Sequence, residues 1–256
     1  MNESSADDVD AIFVSPHYDD VALSCGGTLA LEARHGHALV VTVFAGDQPE
    51  ALNPFAEFQH RRWGHAGDAV DERRREDSAA MAVLGCDYRW LEFPDAIYRD
   101  NLYLTDEELF GPVKPEDEPV TEAIADALLS IATKTQPKIV YLPLAVGNHV
   151  DHQICTELGL RLVAGGATVL YFEDFPYAAT PGAVEERIAT FGPRLTPTIV
   201  SIEETIEKRL TAIKCYASQL ATIFRHYGDP ETVVREYARS LGSDSYAERF
   251  WKLRAS

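Results

Sequence analysis

Four apolar runs of strand length punctuate this chain: AIFVS (Ala11 to Ser15), ALVVTVFAG (Ala38 to Gly46), KIVYLP (Lys138 to Pro143) and TVLYFE (Thr168 to Glu173). Near-continuous apolar runs rich in β-branched residues mark strands buried on both faces. Between them lie stretches with helical spacing. Asp20 to Arg34 ends near Gly36, Asp68 to Leu84 ends at Gly85, Val120 to Thr133 precedes the third run, and a helix from His149 or Val150 through Val163 stops at Gly165-Gly166. Strands alternating with helices give a parallel sheet, because a parallel crossover needs a helix and that helix needs a sheet face to bury its apolar side. The expected fold class is therefore α/β, a parallel sheet with helices on both faces. Asp87 to Phe93 and Thr196 to Ile202 add two further strands, and Glu203 to about Phe224 carries the clearest amphipathic pattern. Residues 46–67 and 175–195 read as irregular. Residues 101–120, with three prolines and many acids, read as a surface excursion, either solvated or covering a site. The tail from Pro230 mixes aromatics and arginines and is expected to pack back on the body. Nothing marks a linker, so residues 1–256 are expected to form one domain.

Composition removes several function classes. The formal net charge is −18 over 256 residues, which offers no electrostatic footprint for nucleic acid or an anionic membrane. The polar, acidic N-terminus has no basic or apolar signal segment, and no apolar run approaches the roughly 18 residues needed to span a bilayer. Cys25, Cys86, Cys155 and Cys215 are far apart with no CxxC pair, as expected of reduced core residues in a cytoplasmic protein. No GxGxxG follows the first strand, and Gly26-Gly27 falls inside a helix, so a dinucleotide reading is weak.

The chemistry-bearing residues are histidines with an acid or a second histidine three positions on. Eight His in a chain where Asp, Glu and His total 49 of 256 residues would give about 1.5 such pairs by accident. Four occur: His17 with Asp20, His65 with Asp68, His149 with His152, and His226 with Asp229. Spacing does not separate them, but position does. Ligands of an open parallel sheet bind at the carboxyl ends of its strands. His17 to Asp20 directly follows AIFVS, and Asn148 to His152 follows KIVYLP after a short turn. The other two pairs follow no strand and read as surface or capping residues, Asp68 as a helix cap. Two loops on one sheet edge thus offer His17, Asp19, Asp20, His149, Asp151 and His152. Two His and a carboxylate with an open position are the usual layout of a catalytic zinc site, and a further carboxylate can act as general base on the bound water. The competing reading is structural: Asp19 or Asp20 caps the following helix, and His149 is a polar loop residue.

SPHYDDV resembles the AHPDDE signature of the PIG-L/LmbE-like de-N-acetylases, and NHVDH resembles their HxDH motif. ERRREDSAAMAVLG (Glu72 to Gly85), FPD (Phe93 to Asp95) and KCYASQ (Lys214 to Gln219) extend the resemblance over most of the chain. It implies a Rossmann-like fold and a metal-dependent hydrolase that removes the acetyl group from an N-acetylated, GlcNAc-type sugar. It implies Zn2+, or another divalent metal such as Fe2+, held by His17, Asp20 and His152. Asp19 would be the general base, His149 would stabilise the oxyanion, and Asp151 would orient a motif histidine. Arg73 and Asp95 match positions that face substrate hydroxyls. The implied partner is a small N-acetylated sugar or glycoconjugate, with neither nucleic acid nor membrane insertion, and several family members assemble, which allows a homo-oligomer. Tyr18 and Val21 depart from the signature, and Tyr18, bulky and beside the metal motif, puts the substrate in question. Gly147 stands where some relatives carry a tyrosine, so such a contribution comes from elsewhere or is absent. Two rivals share the residues: an amidase acting on a non-sugar amide, and a metal- or nucleotide-binding module without turnover.

Overall fold

The computed structural model describes residues 8–63 and 69–254. The His65–Asp68 pair and the expected helix start at Asp68 lie outside these residues, as does most of the acidic N-terminus. The strands are β1 (Ala11–Ser15), β2 (Ala38–Thr42), β3 (Asp87–Trp90), β4 (Ile139–Pro143), β5 (Thr168–Phe172), β6 (Leu195–Ser201) and β7 (Ala247–Leu253). They form one sheet in the order β3-β2-β1-β4-β5-β7-β6. β1 to β5 run parallel, as the alternation of strands and helices predicts. The alternation rule does not reach β7, which inserts antiparallel between β5 and β6. The tail therefore joins the sheet as well as packing on the body.

The helices are α1 (Asp20–His35), α2 (Pro54–Arg62), α3 (Ala69–Leu84), α4 (Asp106–Leu109), α5 (Glu118–Thr135), α6 (Val150–Glu157), α7 (Gly159–Ala164), α8 (Ala183–Ala189), α9 (Ile206–Cys215), α10 (Ala217–Ile223) and α11 (Pro230–Leu241). The pleat of β1 divides its side chains between two cores. Ile12 and Val14 pack with Ile124, Leu128 and Ile131 of α5 and Ile154 of α6. Ala11 and Phe13 pack on the other face with Val21, Cys25 and Leu29 of α1 and Met81 and Leu84 of α3. Phe13 and Tyr141 stack across β1 and β4 at 4.2 Å. Burial of one such aromatic is worth several kcal/mol, and Phe13→Ala should cost about 3–5 kcal/mol.

Several sequence expectations need correction. The apolar run after α1 leaves the ladder at Thr42. Val43 and Phe44 instead donate their N–H groups to Ser15 and Pro16 at 2.8 and 2.9 Å, bracing the loop after β1. Of the stretches read as irregular, 46–67 contains α2, started by Pro54 and capped by Asn53, which accepts from the Ala56 N–H at 2.8 Å, and 175–195 contains α8. The helices expected over 149–163 and 203–224 are each two helices. The second breaks at Tyr216, whose hydroxyl lies 2.9 Å from the Tyr18 carbonyl and 2.7 Å from Asp77 Oδ1. Cys86 and Cys215 are only partly buried, whereas Cys25 and Cys155 are core; all four thiols are free.

The glycine pair in α1 has a packing role. Cys25 is non-helical, at φ −145°. The kink frees the N–H groups of Gly27 and Thr28, and both donate to the buried Glu248 of β7 at 2.9 and 2.8 Å. A Cβ on Gly27 would lie 2.8 Å from Ile202. Arg209 of α9 pairs with Glu248 at 3.2 Å and donates to the Leu23 carbonyl, so the groups released by the kink find partners.

Candidate active site at the switch between β1 and β4

The strand order reverses between β1 and β4, and an open α/β sheet binds its ligand in the crevice at that point. The loops after these two strands carry the predicted residues into one cavity of about 440 Å³. His17, Asp19, Asp20, Arg73, Asp95, His149 and His152 all line it. Asp151 is fully buried behind them. The loop after β1 is tied down locally. Ser15 Oγ donates to the His17 carbonyl at 2.5 Å and accepts from the Val21 N–H at 3.2 Å. Asp19 sits at the N-cap position of α1 but makes no side-chain cap bond. Asp20 accepts the His17 N–H at 2.7 Å. His149 does cap its helix, with Nδ1 accepting from the Asp151 N–H at 3.2 Å.

Among the described residues, two groups of side chains could hold a metal ion: His17, Asp20 and His152, or His17, His149 and Asp151. Their hydrogen bonds favour the first. Asp20 Oδ2 stands 3.3 Å from His17 Nδ1 and 3.3 Å from His152 Nε2. The other nitrogen of each ring is committed elsewhere: His17 Nε2 to Asp151 at 2.9 Å and His152 Nδ1 to Asp174 at 2.7 Å. Each carboxylate holds one proton of its histidine on the far side, so the nitrogen facing Asp20 is the one that can give up its proton to a cation, the arrangement that surrounds metal-bound histidines. Asp151 has no oxygen to spare. One oxygen takes Arg99 at 2.6 Å; the other takes His17 Nε2 and the Ala96 N–H at 3.1 Å.

The electrostatics separate the roles. Burial opposes charge on both histidines, but Asp95, Asp151 and Asp20 hold His17 well above its ordinary value. Asp20 and Asp174 push His152 up to about 10 against burial. Burial, with His17 and His152 nearby, drives His149 well below the ordinary imidazole range despite Asp151. His149 is therefore neutral near pH 7, and because its Nδ1 accepts, its N–H is on Nε2. Burial and the neighbouring Asp20 raise Asp19, while Arg73, 3.5 Å away, pulls it back. Asp95 Oδ2 lies 3.5 Å from His17 Nε2, and its Oδ1 caps the turn at Ile97.

Several residues are not where the sequence suggests, or were not suggested at all. Tyr18 does not face the cavity. It is 2 % exposed, donates to the Ala45 carbonyl at 3.0 Å and lies 5.2 Å beneath the Arg73 guanidinium, which Trp63 approaches at 5.6 Å from its own ring. Residues 101–117 are not a solvated loop: Leu109 and Phe110 form part of the cavity wall, with Phe110 edge-on to His149 at 5.4 Å. Asp229 caps α11, accepting from the Thr232 N–H at 2.9 Å, whereas its neighbour His226 reaches the cavity. Asp174, Arg99 and Tyr177 went unpredicted. Asp174 follows β5, so its place at a strand's carboxyl end was an available signal. Tyr177 fills the space beside Gly147, where a Cβ would lie 2.8 Å from its ring.

The family model for GlcNAc-PI de-N-acetylase, PIG-L, matches residues 12–163, from β1 through the HxDH loop and its helices. The chain belongs to the PIG-L family. Curated relatives include a 2'-N-acetylparomamine deacetylase of Niallia circulans, 35% identical over 65% of this chain and 66% of that protein. A second, from Streptomyces fradiae, is 36% identical over 81% of this chain and 72% of that protein. The chain thus spans just under two thirds of the first relative's length. Among solved structures, a deacetylase of the teicoplanin pathway superposes with a TM-score of 0.85 at 31% identity, covering 97% of this chain and 99% of that one. A zinc-inhibited form of the teicoplanin deacetylase Orf2 gives 0.84 at 30% over the same coverage. The PIG-L motifs of this chain are the residues gathered at the switch point. Among the described residues, no helix is long and apolar enough to cross a membrane.

Proposed function

We propose that this PIG-L protein is a metal-dependent N-deacetylase that hydrolyses the acetamide of an N-acetylated amino sugar carried on a glycoside or glycoconjugate. The observation that carries the reading is the paired locking of His17 by Asp151 and His152 by Asp174, which leaves two nitrogens facing Asp20. Two imidazoles and a carboxylate suit zinc or ferrous iron. A cation held there supplies Lewis acidity, drawing a water's pKa toward neutrality and polarising the acetamide carbonyl.

The remaining steps fall to the chain's own side chains. Asp19 lines the cavity beside the ligand set and accepts the proton of the attacking water at its carboxylate. Its raised pKa suits it to receive that proton, and Arg73 keeps it ionised beforehand. Neutral His149 donates from Nε2 to the oxyanion as the tetrahedral centre forms, a contribution of about 3 kcal/mol for one such donor. Because His149 carries no ionisable extra proton near pH 7, the proton passed to the departing amine comes back from Asp19. Arg73 and Asp95 line the same cavity and bind sugar hydroxyls. Trp63, Phe110 and Tyr177 offer apolar faces for the sugar ring and what it is attached to.

The test is acetate release from a panel of N-acetylated amino sugars, including 2'-N-acetylparomamine and an N-acetylglucosaminyl glycopeptide, with the free amine measured in parallel. Equal yields of acetate and amine are expected from at least one member. Turnover of simple aryl acetamides with none of the sugars would support the non-sugar amidase instead.

A further inference from the structure

Behind the cavity, a buried row of charge runs from the start of α5 to a histidine of the candidate metal centre. Asp117 pairs with Arg99 Nε at 3.0 Å, Arg99 Nη1 meets Asp151 Oδ1 at 2.6 Å, and Asp151 Oδ2 meets His17 Nε2 at 2.9 Å. Arg99 and Asp117 are 5 % and 1 % exposed, and Asp151 is wholly enclosed. The guanidinium lies over two aromatic rings, Phe44 at 5.1 Å and Tyr103 at 5.4 Å. It also donates to the Pro94 carbonyl at 3.1 Å. The Tyr103 hydroxyl donates to Asp117 at 2.8 Å and accepts the Lys114 N–H at 3.0 Å, so the row also fastens residues 103–117, which supply the Phe110 wall. None of the sequence motifs includes Arg99.

We propose that Arg99 is a positioning residue for the metal centre, acting through Asp151 to fix the ring of His17. The proposal rests on the reading of His17, Asp20 and His152 as metal ligands. Two carboxylates enclosed this deeply repel each other, and the guanidinium placed between them offsets that repulsion. A planar fork held by two rings has one orientation, and it fixes which Asp151 oxygen is left for His17. The other Asp151 oxygen then takes His17 Nε2–H and the Ala96 N–H, so the imidazole presents Nδ1 to Asp20. Without Arg99, Asp151 loses the contact that fixes its orientation. His17 is then free to rotate or change tautomer, and metal affinity falls. Partners of metal ligands typically change affinity about 10- to 100-fold.

The experiment is a double-mutant cycle read as the zinc dissociation constant, by competition with a chromophoric chelator, on protein shown to be folded by circular dichroism. Asp117→Asn is the background, because it removes the carboxylate that loss of Arg99 would strand. Adding Arg99→Met to it should weaken zinc about tenfold or more, while Asp117→Asn alone stays within about twofold of wild type. The weakening should vanish once Asp151→Asn is also present, since Arg99 acts through that carboxylate. Arg99→Lys provides the same cycle if the methionine variant is insoluble; a single ammonium lacks the fork, and a smaller loss of about threefold is expected. Unchanged affinity, an equal loss from Asp117→Asn alone, or a loss that persists with Asp151→Asn would overturn the proposal. Wild-type protein that binds no zinc would refute the metal reading itself, which the cycle keeps distinct from failure of Arg99 alone.

Discussion

Replacing Asp174 by Asn should separate the proposed metal centre from its support without altering a proposed ligand. Both Asp174 oxygens are acceptors for buried donors: Oδ1 faces His152 Nδ1 at 2.7 Å, and Oδ2 takes the Val146 N–H at 2.8 Å. The residue is 1 % exposed, so water cannot replace either bond. An asparagine has one acceptor oxygen and one NH2 donor. If its oxygen keeps Val146, the NH2 faces His152 Nδ1 and forces the ring proton onto Nε2, where the lone pair toward Asp20 is lost. If its oxygen keeps His152, the Val146 N–H is left against another donor. An orphaned buried donor costs about 1–3 kcal/mol. The loss of a ligand's partner typically weakens a metal about 10- to 100-fold, which corresponds to about 1.4–2.8 kcal/mol. The two routes therefore predict similar totals with opposite signatures. In the first, the zinc dissociation constant rises while thermal stability of the metal-free protein barely moves; in the second, stability falls and affinity is largely kept. Chelator competition and thermal melts of metal-free protein read both. Asp174→Asn with wild-type affinity and wild-type stability would refute the argument that this carboxylate sets the His152 tautomer.

Other substitutions test the remaining roles. Asp19→Asn should retain zinc yet lose about 10²- to 10⁴-fold in kcat, measured by acetate release; near-normal turnover would remove it as the base. His149→Gln should cost about 10²- to 10³-fold in kcat with little change in zinc binding, because its proposed role is to donate to the oxyanion. Gly147→Ala should raise KM and lower the melting temperature. Gly147 sits at φ +91°, and a Cβ there would strike the Tyr177 ring at 2.8 Å. Asp77 gives a pH prediction. Burial pushes its carboxyl up to about 7, against hydrogen bonds from Trp90 at 2.6 Å and Tyr216 at 2.7 Å. The folded chain thus holds a proton that the unfolded chain releases near its ordinary pKa of about 3.9. That stability is complete below about pH 4, is lost as pH rises through about 7, and is on the order of 3–4 kcal/mol. Urea unfolding of Asp77→Asn should show a flatter stability between those limits; an unchanged slope would contradict it.

The parts of this fold legible in the sequence were those encoded locally. The apolar runs of β1, β2, β4 and β5 declare buried strands by composition alone, and the loops that follow carry His17 to Asp20 and His149 to His152. The missed elements depend on distant partners. AERFWKL hides β7 because Glu248 breaks the apolar run, and its burial makes sense only beside the N–H groups freed at Gly27 and Thr28, more than two hundred residues earlier. The break at Tyr216 likewise answers to Tyr18 and Asp77 across the structure. Asn53-Pro54 was a legible start for α2, overlooked because that short helix has no sustained apolar stripe. Tyr18 shows the opposite error. Adjacency to His17 in sequence suggested adjacency to substrate, whereas the irregular turn sends neighbouring side chains in different directions and buries the phenol under Arg73. Arg99 offered no local signal, since an arginine after DAIY is ordinary until Asp117 and Asp151 close on it.

The central claim is that deacetylation depends on a cation held by His17, Asp20 and His152. The most direct test follows acetate release from an N-acetylated amino sugar substrate in one protein sample before chelation, after exhaustive chelation and after restoring one equivalent of zinc or ferrous iron. The account predicts turnover, its loss, and its return, with His152→Ala failing to recover at the last step. Acetate release that persists undiminished after the metal is stripped would contradict it.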